Sequence, residues 1–515
     1  LLGPLGHLLH LARVGFVFAR EGVLALIPLK EAPALMRPAL WIARLIARKS
    51  DAQRGERIVT ALNRLGPSYV KTGQFLSTRP DIVGFALAKD LALLQDAMPA
   101  FPQEEAERVV AAALGKPVRE IFASFGPAIA AASVAQVHRA EIEVDGQRLP
   151  VAVKVLRPGI YRIFKRDIDA QAFAARMVER FVPGMARLKP VDVIKTLERT
   201  VQLEMDLRFE AAALSEMAEN TAQDPGFRVP RVEWELTAHD VLTLEWIDGI
   251  KLSDLAGLDR AGIDRIALAR TAMQSFLRHT LRDGFFHADM HQGNLFALRD
   301  GTLVALDLGI MGRLGMKERR FLAEILLGFI TRDYRRIAEV HFEAGYVPDT
   351  HRVEDFAQAL RAVGERIHGK NAASISMAEL LGLLFEITGL FDMATRTELV
   401  LLQKTMVVVE GVCRTLDPAF DMWSVSEPVI REWIERNLGP VGRIEDAGRD
   451  VISLLRAATR VPELIQRSEN VIRSIEAEGL AVHQTRGSSG LQSRGSTFAL
   501  WLIALALIAL AIRGL

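Results

Sequence analysis

The sequence predicts an α+β fold, with short strand pairs set between long helical stretches. Three observations predict it. Residues 137–144 alternate, Asp145-Gly146 follows as a turn, and residues 149–156 are apolar and Val-rich, which together make a β-hairpin. Residues 231–236 and 241–247 repeat the pattern around a polar turn at 237–240, and residues 295–298 and 303–306 do so around Asp300-Gly301. Nearly everything else carries helical periodicity.

In chain order, residues 1–50 mix apolar runs with arginines, as in Phe16-Val17-Phe18-Ala19-Arg20, and read as a helical layer on the core. Residues 51–125 continue as helix, interrupted at Gly66-Pro67, Arg79-Pro80 and Met98-Pro99. A strand-bearing region spans 126–248 and contains a helical stretch at 162–220. A second, at 249–440, opens with helix near 260–283, carries a polar loop at 285–294 and the third hairpin, and becomes helical from 316. The helical pattern runs on to about 480, inside a segment 441–497 whose end, 484–497, is a Ser- and Gly-rich linker. Residues 498–513 are expected to be a membrane anchor. Residues 498–512 carry no charge, and at ~1.5 Å per residue they cover ~22 Å of a hydrocarbon core ~30 Å thick. Arginines flank the segment and recur upstream of it, which would keep the main body in the cytoplasm.

Composition narrows the function. The 515 residues suit two to four domains. Half are hydrophobic and 25% are charged, so the chain is globular and not disordered. A net charge of +1 argues against nucleic acid as a partner. A single cysteine, Cys413, excludes an intramolecular disulfide framework and a Cys-rich zinc site. No basic stretch followed by an apolar run and a cleavage site opens the chain, so no signal peptide is expected.

The chemistry is concentrated in His287-Ala288-Asp289-Met290-His291-Gln292-Gly293-Asn294, with Asp307-Leu308-Gly309 one hairpin later. This order resembles the catalytic segment of protein kinases, in which an Asp, an Asn five residues on and a second Asp before a glycine supply oxygen ligands for a metal that neutralises phosphate charge. Upstream, Val151-Ala152-Val153-Lys154-Val155 places a lysine in a buried-looking strand, where it needs an anionic partner. Lys154 alone would equally suit an edge strand whose lysine reaches solvent. Before it, where protein kinases carry a glycine-rich nucleotide loop, residues 130–138 (Ala130, Ala131, Ala132, Ser133, Val134, Ala135, Gln136, Val137, His138) depart from the kinase segment that the chain resembles, with alanines that resist positive φ. Lys71-Thr72-Gly73-Gln74 lies in a helical stretch, where Gly73 costs ~1 kcal/mol relative to Ala and so signals close packing. Glu204, Asp206 and Glu210 read as one helix. On it Glu204 and Glu210 point ~120° apart and address different partners, Glu204 to Lys71 and Glu210 to Lys154.

Taken together, these motifs resemble the UbiB family of atypical kinase-like proteins, which supports ubiquinone biosynthesis. The resemblance spans roughly residues 60–430, and Lys-x-Gly-Gln, which kinases generally lack, is its most specific part. It implies a two-lobed protein-kinase-like fold with a helical N-terminal extension (51–125), an N-lobe (126–248), a C-lobe (249–440) and a C-terminal hydrophobic anchor. It implies ATP at residues 130–138 and Lys154, Mg²⁺ at Asn294 and Asp307, and Asp289 as catalytic base. Lys71 and Gln74 would restrict protein-kinase activity, leaving an ATPase or a small-molecule-directed role. The implied partners are membrane lipid, polyprenyl-phenol precursors and other quinone-biosynthesis proteins, at the inner (cytoplasmic) membrane. Met290 and Gln292 replace prolines common in the family motif, and one apolar C-terminal segment stands where two are frequent.

Three other classes compete. A nucleotide-binding pseudokinase scaffold would organise a biosynthetic complex without turnover. A flavin or nicotinamide hydroxylase would need a G-x-G-x-x-G after a strand, which the sequence lacks. A metal-dependent hydrolase could be built on His287, Asp289 and His291.

Overall fold

The computed structural model describes residues 4–26, 37–48, 52–77, 79–91, 93, 94, 98–181, 189–368, 383, 387, 390–393 and 397–439. The linker 441–497 and the apolar segment 498–512 lie outside these residues. Among the described residues no helix is long and apolar enough to cross a membrane.

Four strands form the N-terminal sheet: β1 (Ser124–Ala131), β2 (Ala135–Val144), β3 (Gln147–Leu156) and, after three helices and one two-residue strand, Val241–Glu245; they are antiparallel neighbours in that order. The β2–β3 hairpin keeps unbroken register from Val144 opposite Gln147 to Ala135 opposite Leu156. Its two-residue turn needs positive φ at both positions, and Asp145 (φ 52°) and Gly146 (φ 75°) supply it. One face of the sheet is covered by the helix Gln103–Leu114, whose Ala106 and Val110 pack on Ala140, Val151, Val153 and Val155.

Two sequence expectations differ from the structure. Residues 124–125, expected as the end of a helical stretch, and 130–131, expected as the start of a loop, lie in β1, where pairing with β2 overrides the weak strand preference of Gly126, Pro127 and the alanines. Residues 231–236 are not a strand. Val232 makes an isolated bridge to Leu244, and Trp234–Leu236 is a 3₁₀ turn, so a short turn stands where the first half of a hairpin was expected.

The larger second region packs helices around two small sheets. β4 (Phe227–Arg228), β9 (Leu303–Ala305), β8 (Leu295–Ala297) and β6 (Ile250–Lys251) form one, with Val241–Glu245 counted as β5. β7 (Phe285–His287) and β10 (Met311–Arg313) form the other. The helix Arg265–Arg278, capped by Asp264 on the backbone N–H of Ile266 and Ala267, leads into β7 through a π-helical turn at His279–Asp283. The helices Met316–Thr331, Tyr334–Glu343, Val353–His368, Thr397–Leu416 and Met422–Leu438 complete the domain. One continuous core links Phe276, Phe286, Met290 and Leu308 with Leu402, Met406 and Val409 of the helix Thr397–Leu416.

The N-terminal helices Pro4–Arg20, Arg37–Ile46, Arg54–Leu65 and Pro67–Ser77 share a separate core of Leu40, Ile58, Leu62 and Tyr69. Gly73 explains itself there: a Cβ would run into the side chains of Leu94 and Leu62.

Candidate functional site

β3 is an interior strand, so Lys154 does not reach solvent from an edge. It stands opposite Val137 on β2 and Leu242 on β5, which puts these three side chains on one face of the sheet. Lys154 Nζ lies 2.8 Å from both carboxylate oxygens of Glu210 and 3.1 Å from Asp307 Oδ2. Burial alone would lower the Lys154 ammonium, but Asp307 and Glu210 outweigh it and raise the group above its ordinary value. Burial pushes Glu210 up against the pull of Lys154. Burial also pushes Asp307 up, but Lys154 and the backbone N–H of Gly309 prevail and hold it well below the carboxylate range. Asp307 keeps 47% of its side chain exposed, so a ligand in the cleft can reach it.

Glu204 and Glu210 do not share one helix. The helix Pro190–Glu204 ends, Met205 is buried, and Asp206 starts the helix Leu207–Asn220 by accepting from Arg208 N at 3.1 Å. The expectation of a continuous helix is therefore corrected, although both pairings derived from it are present. Asp206 serves as the cap and pairs with Arg208 at 2.7 Å, not with the lysines. Lys71 Nζ lies 2.9 Å from Glu204 Oε2. Gln74 follows Lys71 on the same helix and is partly buried. That helix is also held from below, where Ser68 donates to buried Asp167, which His10 and Arg166 contact as well.

Asp289, Asn294 and Asp307 come from two loops joined through the β8–β9 hairpin. Leu306 N donates to Asn294 O at 3.0 Å, which ties the end of β9 to the start of β8. Asn294 donates its amide Nδ2 to Asp289 O at 3.3 Å. Asp289 N donates to His287 Nδ1 at 3.3 Å, and burial holds the His287 imidazole below its usual value, so the ring is a neutral acceptor. His291 Nε2 is 3.7 Å from Asp289 Oδ2. The hydrolase reading finds no support here, because among the described residues no group of three His, Cys, Asp or Glu side chains is arranged to hold a metal. Met290 is buried in the core and fastens the loop there.

The residues 130–138 do not all face the lysine. Ala130 pairs with Val137 and so shares the face of Lys154, whereas Ala131 pairs with Gln136 on the other. Gln136 and His138 are buried on that far face. Gln136 exchanges hydrogen bonds with the backbone of Phe101, and His138 bonds Gly126 O at 2.9 Å and stacks on Phe125. Strand alternation thus removes the Gln136 and His138 side chains from the expected ligand set. The tip Ala132-Ser133-Val134 is braced by Arg157, which donates to Ala132 O at 2.9 and 3.0 Å and to Pro99 O at 2.7 Å.

Thr405 escaped the sequence reading. Its hydroxyl donates to Ala288 O at 3.0 Å, from a helix that sequence presents only as an apolar run. Nothing in the spacing of residues 401–409 marks it out.

The residues present fit a hard cation with phosphate. Such an ion takes one or two carboxylates, other oxygens and water, and here Asp307 offers a charged, half-open carboxylate while Asn294 uses its amide nitrogen on Asp289, leaving the amide oxygen to face elsewhere.

The family model of an ABC1 atypical kinase-like domain matches residues 93–341, and that of a UbiB helical domain matches residues 360–421. A probable protein kinase UbiB of Marinobacter nauticus is 37% identical over 474 residues, 91% of this chain and 86% of that protein. Proteins of the same description from Aeromonas salmonicida (37% identical, 84% of this chain and 80% of that protein) and Xanthomonas euvesicatoria (38%, 89% and 84%) are similar. A solved Mycobacterium tuberculosis protein in complex with erythromycin is 24% identical, covering 73% of this chain and 95% of that one, with a TM-score of 0.49.

Proposed function

This chain belongs to the UbiB family of ABC1 atypical kinase-like proteins, and from that premise we propose that it is an ATP-binding, Mg²⁺-dependent atypical kinase or ATPase that supports ubiquinone biosynthesis. It acts at the inner membrane, with its body in the cytoplasm, and assists the modification of polyprenyl-phenol precursors. The observation that carries the reading is Lys154 held between Glu210 and Asp307 on an interior strand.

In this reading Lys154 binds nucleotide phosphate, and Glu210 keeps its ammonium aimed into the cleft. The tip 132–134, Ala130 and Val137 cover the nucleotide from the sheet side. Asn294 and Asp307 hold Mg²⁺, which when bound neutralises charge on the phosphoryl oxygens. Asp289 orients the acceptor hydroxyl or water. Lys71 and Gln74 hold the Pro67–Ser77 helix across the acceptor side and keep bulky protein substrates out. Mg-ATP binding and hydrolysis by the purified chain, with and without vesicles containing polyprenyl-phenols, test this. Hydrolysis that the phenols stimulate supports it, absence of Mg-ATP binding defeats it, and binding without any turnover leaves a scaffold.

A further inference from the structure

The peptide group between Ala288 and Asp289 is pinned at both ends. Its carbonyl oxygen, Ala288 O, accepts from Thr405 Oγ1 at 3.0 Å, and its nitrogen, Asp289 N, donates to His287 Nδ1 at 3.3 Å. Because a peptide group is a rigid plane that includes the next Cα, fixing both polar atoms holds the plane and with it the Asp289 Cα from which the side chain departs. Thr405 is fully buried, and so is Ala288.

Thr405 stands in the middle of the helix Thr397–Leu416, inside the UbiB helical domain, whereas Ala288 belongs to the kinase-like domain. Its hydroxyl also lies 2.8 Å from Leu401 O, the contact any helical threonine makes four residues back. That local bond is redundant, since an α-helical carbonyl already has its own backbone donor. Ala288 lies just beyond the end of β7, where its N–H still donates to Ile310 O at 2.9 Å while its carbonyl takes the Thr405 hydroxyl. Two turns further along the same helix, Cys413 Sγ approaches Ala269 O at 3.2 Å, so the helix splints both the Arg265–Arg278 helix and the loop that it feeds.

We propose that Thr405 is a positioning residue for Asp289: through its hydrogen bond to Ala288 O, the UbiB helical domain sets the geometry of the kinase-like loop. The inference rests on the reading of Asp289 as the group that orients the acceptor. Misplacement by about 1 Å can cost up to ~100-fold in rate, so the effect falls on turnover and spares nucleotide affinity.

The test compares Thr405→Val, which keeps the shape and loses the hydroxyl, with Thr405→Ser, which keeps the hydroxyl, in the full chain. Thr405→Val is expected to lower kcat for Mg-ATP at least ~10-fold with its Kd nearly unchanged, and Thr405→Ser to stay near the parent. Deuterium exchange at the Asp289 amide is expected to speed up in Thr405→Val and not in Thr405→Ser. A Val variant with parental kcat and exchange overturns the proposal, and so does a Ser variant as impaired as Val, because packing would then be the cause. If the parent chain hydrolyses no ATP, the functional reading fails, and amide exchange alone decides whether Thr405 positions the loop. Should Thr405→Val not fold, Thr405→Ala replaces it with the same expected outcomes.

Discussion

Lys71 and Glu204 meet at 2.9 Å with only 12% of either side chain exposed, which joins the Pro67–Ser77 helix to the end of the helix Pro190–Glu204. Truncating Lys71 leaves a largely buried carboxylate without its cation, at a cost of about 3 kcal/mol if burial is the guide. Lys71→Ala is therefore expected to loosen the Pro67–Ser77 helix, raise autophosphorylation and weaken rescue of quinone synthesis in a strain lacking the protein. Radiolabel incorporation and quinone content, measured side by side, check this. A variant equal to the parent in both makes the pair purely structural.

Asp307→Asn removes the half-open carboxylate but leaves Lys154 with Glu210, so the fold should hold. Mg²⁺-dependent nucleotide binding or turnover is expected to fall at least ~10-fold, as for loss of a charge partner worth more than ~1.4 kcal/mol. Titration of Mg-ATP into the variant, with a thermal melt as control, decides it. Parental affinity together with parental turnover would remove Asp307 from the metal site.

Acid should destabilise the protein below about pH 6.5. His10, His138, His279, His287 and His341 are all held below their usual value, with burial the largest cause at each. His341 is lowered to about 4. A histidine whose folded value is depressed contributes stability that is complete above its unfolded value and is lost as pH falls towards the folded one. For His341 the window is therefore roughly pH 6.5 down to 4, worth at most ~3 kcal/mol. Glu210 works the other way, since its raised value favours the folded state as pH falls, but it is one group against five. Urea midpoints across this range should drop, and His341→Asn should flatten part of the slope. A midpoint that does not change between pH 7 and 5 would contradict the assignment.

Removing residues from Ser496 onward is expected to release the protein from membranes without loss of Mg-ATP binding. Membrane sedimentation of the truncated and full chains, each paired with a nucleotide titration, checks both halves. Continued sedimentation would move attachment to the N-terminal helices.

The sequence made some of this legible for physical reasons. Asp145-Gly146 demands a two-residue turn and so fixes the β2–β3 register, and a lysine amid valines demands an anion, which Glu210 and Asp307 provide. Gly73 in a helix signalled the close packing found against Leu94 and Leu62. Other parts were hidden. An alanine-rich strand has no local preference to reveal it, so β1 emerges only from its pairing. Gln136 and His138 lie in a segment whose sequence position suits the ligand, while strand alternation turns their side chains away. The break at Asp206 was missed because an aspartate inside a run of helix formers looks like part of the helix until its side chain is seen capping the next one. Thr405 is 117 residues from the carbonyl that it holds, and no local pattern spans that distance.

The break at Met205 and Asp206 also has a mechanical meaning. A continuous rod from Pro190 to Asn220 would turn both acids together, so displacing the lysine at one end would twist the lysine at the other. Two separate rods meeting at a buried methionine behave as a jointed linkage instead. Glu204, paired with Lys71, ends the first helix and Glu210, paired with Lys154, lies in the second, so a turn of one helix need not carry the other. The Lys71–Glu204 and Lys154–Glu210 pairs thereby sit on separate rods, joined only through Met205 and the capping carboxylate of Asp206.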